Sequence, residues 1–268
     1  MNLEKITRQV IDLCIITGGF IQEEVHKLRT SDIETKSVNN FVTYVDKTSE
    51  IRLMEGLSGI LPETGFIAEE SPLLKTKELN WIIDPLDGTT NFIHGIPIFS
   101  ISIALMDTTE VLLGVVLEVN LKECFYTWKG APSYLNGKPI NVSSALSVKD
   151  SLFATGFPYY DYGRLDDYLD FFRFLMQNSR GIRRLGSAAA DLAYVACGRF
   201  DGFYEYGLSP WDVAAGIILV KNAGGIVTDF TGGTNFIFGK ELVATNSFIH
   251  PEFMDVLKKS FFRNNTEG

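Results

Sequence analysis

Apolar residues at Leu3, Ile6, Val10, Leu13, Ile21, Val25 and Leu28 recur at helical spacing and predict an amphipathic first helix, in spite of Gly18-Gly19. A short strand over Phe41–Val45 follows. Asp46 then reads as the N-cap of a helix whose apolar positions are Ile51, Met54, Leu57, Ile60 and Leu61. The runs Gly65–Ala68 and Trp81–Ile83 read as buried strands, and each leads directly into carboxylates. Phe99, Ile101, Ile103 and Leu105 alternate with small or polar residues, the signature of a half-buried strand. Val111–Val119 and Cys124–Trp128 continue as antiparallel strands.

Asn136-Gly137, between Tyr134-Leu135 and Pro139-Ile140, is a tight-turn signal. It divides the chain into an α+β half, 1–135, and an α/β half, 136–268. In the second half the pattern predicts a strand at Leu152–Thr155, a helix near Asp166–Gln177, and a helix from Ser187 that Gly198 stops. A strand at Gly202–Glu205 and a helix from Trp211 to Asn222 come next. Strands at Ile226–Asp229 and Leu242–Thr245 and a last helix from His250 complete it. No repeat or long linker separates the halves, so they are expected to pack as one unit of mixed α and β layers.

Composition narrows the function. The formal net charge is −9, which argues against a nucleic-acid partner. An anionic substrate stays open, provided that something local neutralises it, and divalent cations held by carboxylates would do so. The start of the chain lacks the layout of a signal peptide, and no run approaches the roughly 18 apolar residues of a membrane span. A cytoplasmic protein without a membrane partner is expected. Cys14, Cys124 and Cys197 are odd in number and far apart, which suggests reduced thiols. With only His26, His94 and His250 present, little material exists for a histidine-activated nucleophile or a histidine-rich metal site.

The chemistry concentrates in carboxylates. Glu69-Glu70, Asp84, Asp87 and Asp212 each stand at the end of a predicted strand or the start of a helix. In Asp84-Pro85-Leu86-Asp87-Gly88-Thr89 the proline fixes φ and the glycine permits close approach of a ligand. Two carboxylates so near on one turn repel unless a cation or a proton lies between them. The Leu86 carbonyl could face the same ion, and oxygen donors suit Mg²⁺. Phosphatases that form an aspartyl-phosphate also place paired aspartates after a buried strand. Theirs are two residues apart rather than three, so a covalent aspartate is disfavoured.

Several segments together resemble the inositol monophosphatase family. They are Glu69-Glu70-Ser71, Asp84-Pro-Leu-Asp-Gly-Thr-Thr-Asn-Phe92, Gly186-Ser-Ala-Ala-Ala-Asp-Leu-Ala-Tyr-Val-Ala-Cys-Gly-Arg-Phe-Asp-Gly202 and Trp211-Asp-Val-Ala-Ala-Gly216. Asn136-Gly-Lys-Pro-Ile140 and Ala154-Thr-Gly-Phe-Pro158 look like further landmarks, so the likeness spans nearly the whole chain. The resemblance implies a layered α-β-α-β-α sandwich and hydrolysis of a small phosphorylated polyol, myo-inositol monophosphate foremost. It implies two or three Mg²⁺ ions, with Mn²⁺ as a substitute, together with lithium inhibition and a homodimer. By position, Glu69, Asp84 and the Leu86 carbonyl would hold one metal, and Asp84, Asp87 and Asp212 the second. Backbone N–H groups of Gly88 and Thr89 would cradle the phosphate beside Asp87 and Asp212. The Thr89 hydroxyl and Glu69 would orient the attacking water. Gly186, Ser187, Ala188 and Glu205 would line the organic part of the substrate.

The chain also departs from the pattern. Gly207-Leu-Ser-Pro210 lacks the histidine that some inositol-preferring members carry, and Ser37-Val-Asn-Asn40 lacks the more usual Gly or Pro and Asp. Both bear on substrate, so bisphosphate nucleotides, histidinol phosphate and fructose bisphosphate remain alternatives, as does a metal-binding interaction protein without turnover. Other residues read as structural: Asp46 a cap rather than a ligand, Trp211 packing that orients Asp212, His94 structural, and Arg183-Arg184 an exposed helix-entry pair, with a place facing the leaving group or a partner subunit as the alternative. Lys36 reads as a solvated loop lysine, with contact to phosphate or metal-bound water as the alternative.

Overall fold

A computed structural model describes residues 1–25, 27–37, 40–71, 77–158 and 161–262. His26, Val38 and Asn39 lie outside the described residues, as does the side chain of Lys36.

The chain opens with helix α1 (Leu3–Glu24), capped by Asn2, whose side chain accepts from the Lys5 N–H. A hairpin of β1 (Ile33–Ser37) and β2 (Asn40–Thr43) leads into α2 (Tyr44–Ile60). The cap of α2 is Thr43, and Asp46 is its reciprocal partner three residues on, completing a capping box. The strand thus ends two residues earlier than the apolar run suggests. Asp46 is the partner of the N-cap rather than the N-cap itself.

Seven strands follow as one sheet in sequence order: β3 (Gly65–Ala68), β4 (Asn80–Asp87), β5 (Ser100–Met106), β6 (Val111–Glu118), β7 (Glu123–Trp128), β8 (Ser133–Leu135) and β9 (Lys138–Ile140). The first pair is parallel and the rest antiparallel. The Asn136-Gly137 turn joins β8 to β9 inside this sheet. Passage to the second sheet therefore falls later, between Ile140 and Leu152. A short helix, α3 (Thr89–Ile93), leaves the end of β4.

The second sheet has the order β11-β10-β12-β14-β13. Its strands are β10 (Leu152–Thr155), β11 (Gly181–Arg183), β12 (Gly202–Tyr206), β13 (Gly225–Thr228) and β14 (Glu241–Asn246). Its helices are α4 (Leu165–Asn178), α5 (Ala188–Ala196), α6 (Pro210–Asn222) and α7 (His250–Phe261).

Helix composition explains the layering. α5 is apolar around nearly its whole circumference and every one of its residues is buried; α6 is buried from Val213 to Val220. Such helices need a cover on both sides. Both lie between the sheets, packed against Ile82, Ala104, Val116 and Phe125 of the large sheet and Ala154, Phe203, Leu242 and Ala244 of the small one. The opposite face of the large sheet, with Trp81, Ile83 and Ile103, is covered by α1 and α2. The outer face of the small sheet, with Phe153, Tyr204 and Val243, is covered by α4 and α7, where Phe171 meets Tyr204 edge-on at 4.9 Å. The order is α-β-α-β-α, the expected sandwich. At Gly114 of β6 an added Cβ would lie 2.7 Å from the Ala215 carbonyl oxygen, so the missing side chain lets α6 lie directly on the sheet.

Candidate metal and substrate site

Strand alternation would send residues three apart to opposite faces of a sheet. Asp84 pairs with Ser102, but Asp87 pairs with Ser100, so β4 carries one extra residue there, a β-bulge. The bulge returns Asp87 to the face of Ile82 and Asp84 and turns Leu86 into the α1/α2 core. Its shape is fixed by the Leu86 N–H, which donates to Asp84 Oδ1 at 3.0 Å.

Asp212 comes to the same place from the first turn of α6, where it accepts from the Ser209 N–H at 2.7 Å. Pro210 at the helix start and Ser209 before it make this a strong N-terminus. One carboxylate oxygen from each of Asp84, Asp87 and Asp212 lies within 4.8 Å of the others. Glu69 stands outside that trio but borders the same cavity, and its loop is anchored by buried Glu50 of α2. Glu50 accepts from the Glu70 N–H at 2.8 Å and from the Ser71 hydroxyl.

Like charges held together out of water must take up protons or a cation. Burial first, and then the charges of Glu69, Asp87 and Asp212, push Asp84 well above the usual carboxylate range. Burial and then Asp87 do the same to Asp212. Burial lifts Asp87 to about 6, held back by the Ser187 hydroxyl and the Ala189 N–H, each donating to its Oδ2 at 2.7 Å. A trio of hard oxygen donors under this strain suits a divalent cation such as Mg²⁺. Asp84, Asp87 and Asp212, with Glu69 and the Leu86 carbonyl beside them, are the residues that would hold it.

Gly88 caps α3 in the left-handed region, so the N–H groups of Gly88 and Thr89 open that helix. The Thr89 hydroxyl oxygen lies 2.8 Å from Asp46 Oδ1 and 3.0 Å from the Leu86 carbonyl. Asp46 therefore belongs to the site through Thr89, a link that its capping role conceals in the sequence.

The cavity above the carboxylates measures about 210 Å³. It is lined by Glu69, Asp87, Arg184, Gly186, Ser187, Ala188, Glu205 and Asp212, and by Gly156, Asp191, Leu208 and Trp211 as well. The expected substrate-lining residues come together there. Ser187 is largely spent, since its hydroxyl binds Asp87 and approaches that of Ser100 at 2.9 Å. The Arg183-Arg184 pair divides: Arg183 is exposed on β11, whereas Arg184 enters the cavity and stacks over Phe157 at 5.4 Å. The exposed reading holds for Arg183 alone; Arg184, one residue past the end of β11, turns into the cavity.

The model of the inositol monophosphatase family matches residues 2–261. Nus factor SuhB of Pseudomonas aeruginosa is 41% identical over 236 residues, covering 86% of this chain and 87% of that one. Inositol-1-monophosphatase of Mesorhizobium japonicum is 35% identical over 252 residues, covering 93% and 95%. The crystal structure of extragenic suppressor protein suhB from Bartonella henselae superposes with a TM-score of 0.90 at 36% identity, covering 95% of this chain and 99% of that one.

Proposed function

The chain belongs to the inositol monophosphatase family and is a phosphatase, and on that premise we propose that it hydrolyses a small phosphorylated polyol, myo-inositol monophosphate foremost, to the alcohol and inorganic phosphate. The observation that carries this reading is the convergence of Asp84, Asp87 and Asp212 on one point beside a cavity of about 210 Å³.

A divalent cation bound there, Mg²⁺ in this proposal, supplies charge neutralisation for the phosphoryl oxygens and acidifies the attacking water. The remaining tasks fall to the chain. Gly88 and Thr89 present N–H groups to the phosphate. Thr89 donates its hydroxyl proton to Asp46, which leaves its oxygen lone pairs to accept a hydrogen bond from the water and orient it. Glu69, which borders the same cavity, would be the second residue to orient that water. No covalent enzyme intermediate is needed, in keeping with a cavity lining that contains no histidine among the described residues.

Glu205, Arg184 and Asp191 give one end of the cavity polar partners for hydroxyl groups, and Leu208 and Trp211 give it apolar wall. Gly186, Ser187 and Ala188 complete the alcohol end. A second reading is a metal-binding interaction protein without turnover, since several relatives carry the name Nus factor. The complete carboxylate set with Thr89 in place favours catalysis. The same proposal includes lithium inhibition and a homodimer. Among the described residues no helix is long and apolar enough to cross a membrane.

A phosphate-release screen over inositol, sugar, histidinol and nucleotide phosphates with Mg²⁺ tests the reading. Fastest turnover is expected on myo-inositol monophosphates. A preference for adenine-containing substrates, or no release from any substrate, would overturn it.

A further inference from the structure

Asp191 borders the cavity, and the mechanism above gives it no task. It lies in the first turn of α5, whose other residues are alanine, leucine, tyrosine and valine, and its residue is 1% exposed. Its Oδ1 has no hydrogen-bond partner among the described residues. A buried carboxyl oxygen left unpaired is costly, and such groups in a cavity wall point to a missing ligand partner.

The neighbours narrow what that partner is. Glu205, from β12, and Arg184, from the end of β11, both lie close enough to act electrostatically on Asp191. At Gly156 an added Cβ would stand 2.0 Å from the Glu205 carboxyl group, so the bare Cα is what allows Glu205 to turn into the cavity. Two carboxyl groups thus stand at this end in addition to the three that suit a cation. They are unfavourable neighbours for a phosphate group, while their geometry suits hydroxyl groups, which can both donate and accept.

Resting on the polyol-phosphatase reading, we propose that Asp191 is a specificity-determining residue that, together with Glu205, hydrogen-bonds hydroxyl groups of the alcohol moiety. Burial pushes Asp191 up well above the ordinary carboxylate range and Glu205 up to about 8, and a protonated Glu205 can donate as well as accept. Arg184 opposes both shifts and holds the two side chains in one field.

The test compares wild type with Asp191→Ala and Asp191→Asn in three measurements. They are steady-state hydrolysis of myo-inositol 1-phosphate, inhibition by inorganic phosphate, and half-saturation by Mg²⁺. Asp191→Ala is expected to raise KM roughly 10- to 100-fold with kcat within about threefold, the size expected for loss of a substrate hydrogen bond. The inhibition constant of phosphate and the Mg²⁺ half-saturation should stay within about twofold. Asp191→Asn should recover most of the KM, and it carries the test alone if the alanine variant fails to fold. Its KM should still exceed that of wild type, with phosphate inhibition unchanged. A parallel change in phosphate inhibition or Mg²⁺ half-saturation would assign Asp191 to the support of Asp87 and overturn the inference, as would an unchanged KM in both variants. Failure of wild type itself to hydrolyse any polyol phosphate would show that the underlying reading is wrong, before a variant is made.

Discussion

The Asp46 carboxylate and the Thr89 hydroxyl meet at 2.8 Å although 43 positions separate them, and so tie the first turn of α2 to the first turn of α3. Asp46 cannot swing away, because its other oxygen accepts from the Thr43 N–H at 2.8 Å and the Thr43 hydroxyl at 2.6 Å. One carboxylate therefore closes a helix cap and aims a hydroxyl at the bulge that bears Asp84 and Asp87.

On the proposed role of Thr89, orienting the water and not holding the cation, Thr89→Ala should lower kcat by roughly 10²- to 10⁴-fold. Its Mg²⁺ half-saturation should be unchanged. Asp46→Asn should lower kcat about tenfold and reduce stability by about 1 kcal/mol through the weakened cap. Kinetics across a Mg²⁺ series with thermal unfolding of both variants checks this, and wild-type kcat in Thr89→Ala would contradict it.

In the metal-free protein the raised carboxylates impose a pH dependence of definite sign. Folded Asp84, Asp87 and Asp212 keep protons that the unfolded chain releases near pH 4, so stability should fall as pH rises through that value and past about 6. Asp87 alone accounts for on the order of 2–3 kcal/mol. In EDTA the Tm should drop by several degrees between pH 5 and pH 8, and saturating Mg²⁺ should remove most of the slope. A flat or rising Tm in EDTA would contradict the crowded-carboxylate description.

The seat of α6 on β6 sets where Asp212 stands. In Gly114→Ala the new methyl group meets the Ala215 carbonyl oxygen and pushes the helix outward. A loss of about 1–3 kcal/mol is expected. Mg²⁺ half-saturation should weaken by an order of magnitude through displacement of Asp212. Denaturant unfolding and a Mg²⁺ titration of activity measure the two effects, and loss of stability with an unaltered Mg²⁺ response would separate Asp212 from the packing of α6.

Much of the fold was legible, because the period of the apolar residues changes cleanly from helix to strand. The nearly continuous apolar character of α5 and of α6 from Val213 to Val220 fits their place between the two sheets. The carboxylates stood out because each interrupts or ends an apolar run. The bulge was hidden, since a three-residue spacing along a strand says nothing of the register in which Ser100 and Ser102 pair with it. Asp46 was masked by its own capping pattern, which accounts for its carboxylate without Thr89. Asp191 looked like an ordinary helical residue. The available signal was a lone charge in an otherwise apolar helix. Arg184 is hidden by its neighbour, because two adjacent arginines look alike in sequence although one ends β11 and the other leaves it toward the cavity.

The central claim, that Asp84, Asp87 and Asp212 hold the cation on which phosphate release depends, is tested most directly by titrating Mg²⁺ into metal-stripped wild type and Asp84→Asn. The readout is phosphate release from myo-inositol 1-phosphate. Wild type should be silent in EDTA and saturate with Mg²⁺. Asp84→Asn should remain folded, with a metal-free Tm at pH 8 no lower than that of wild type, yet lose activity by roughly 10³-fold or more, the scale on which removal of a preorganised charge acts. Turnover by metal-free wild type, or near wild-type release by folded Asp84→Asn, would contradict the account.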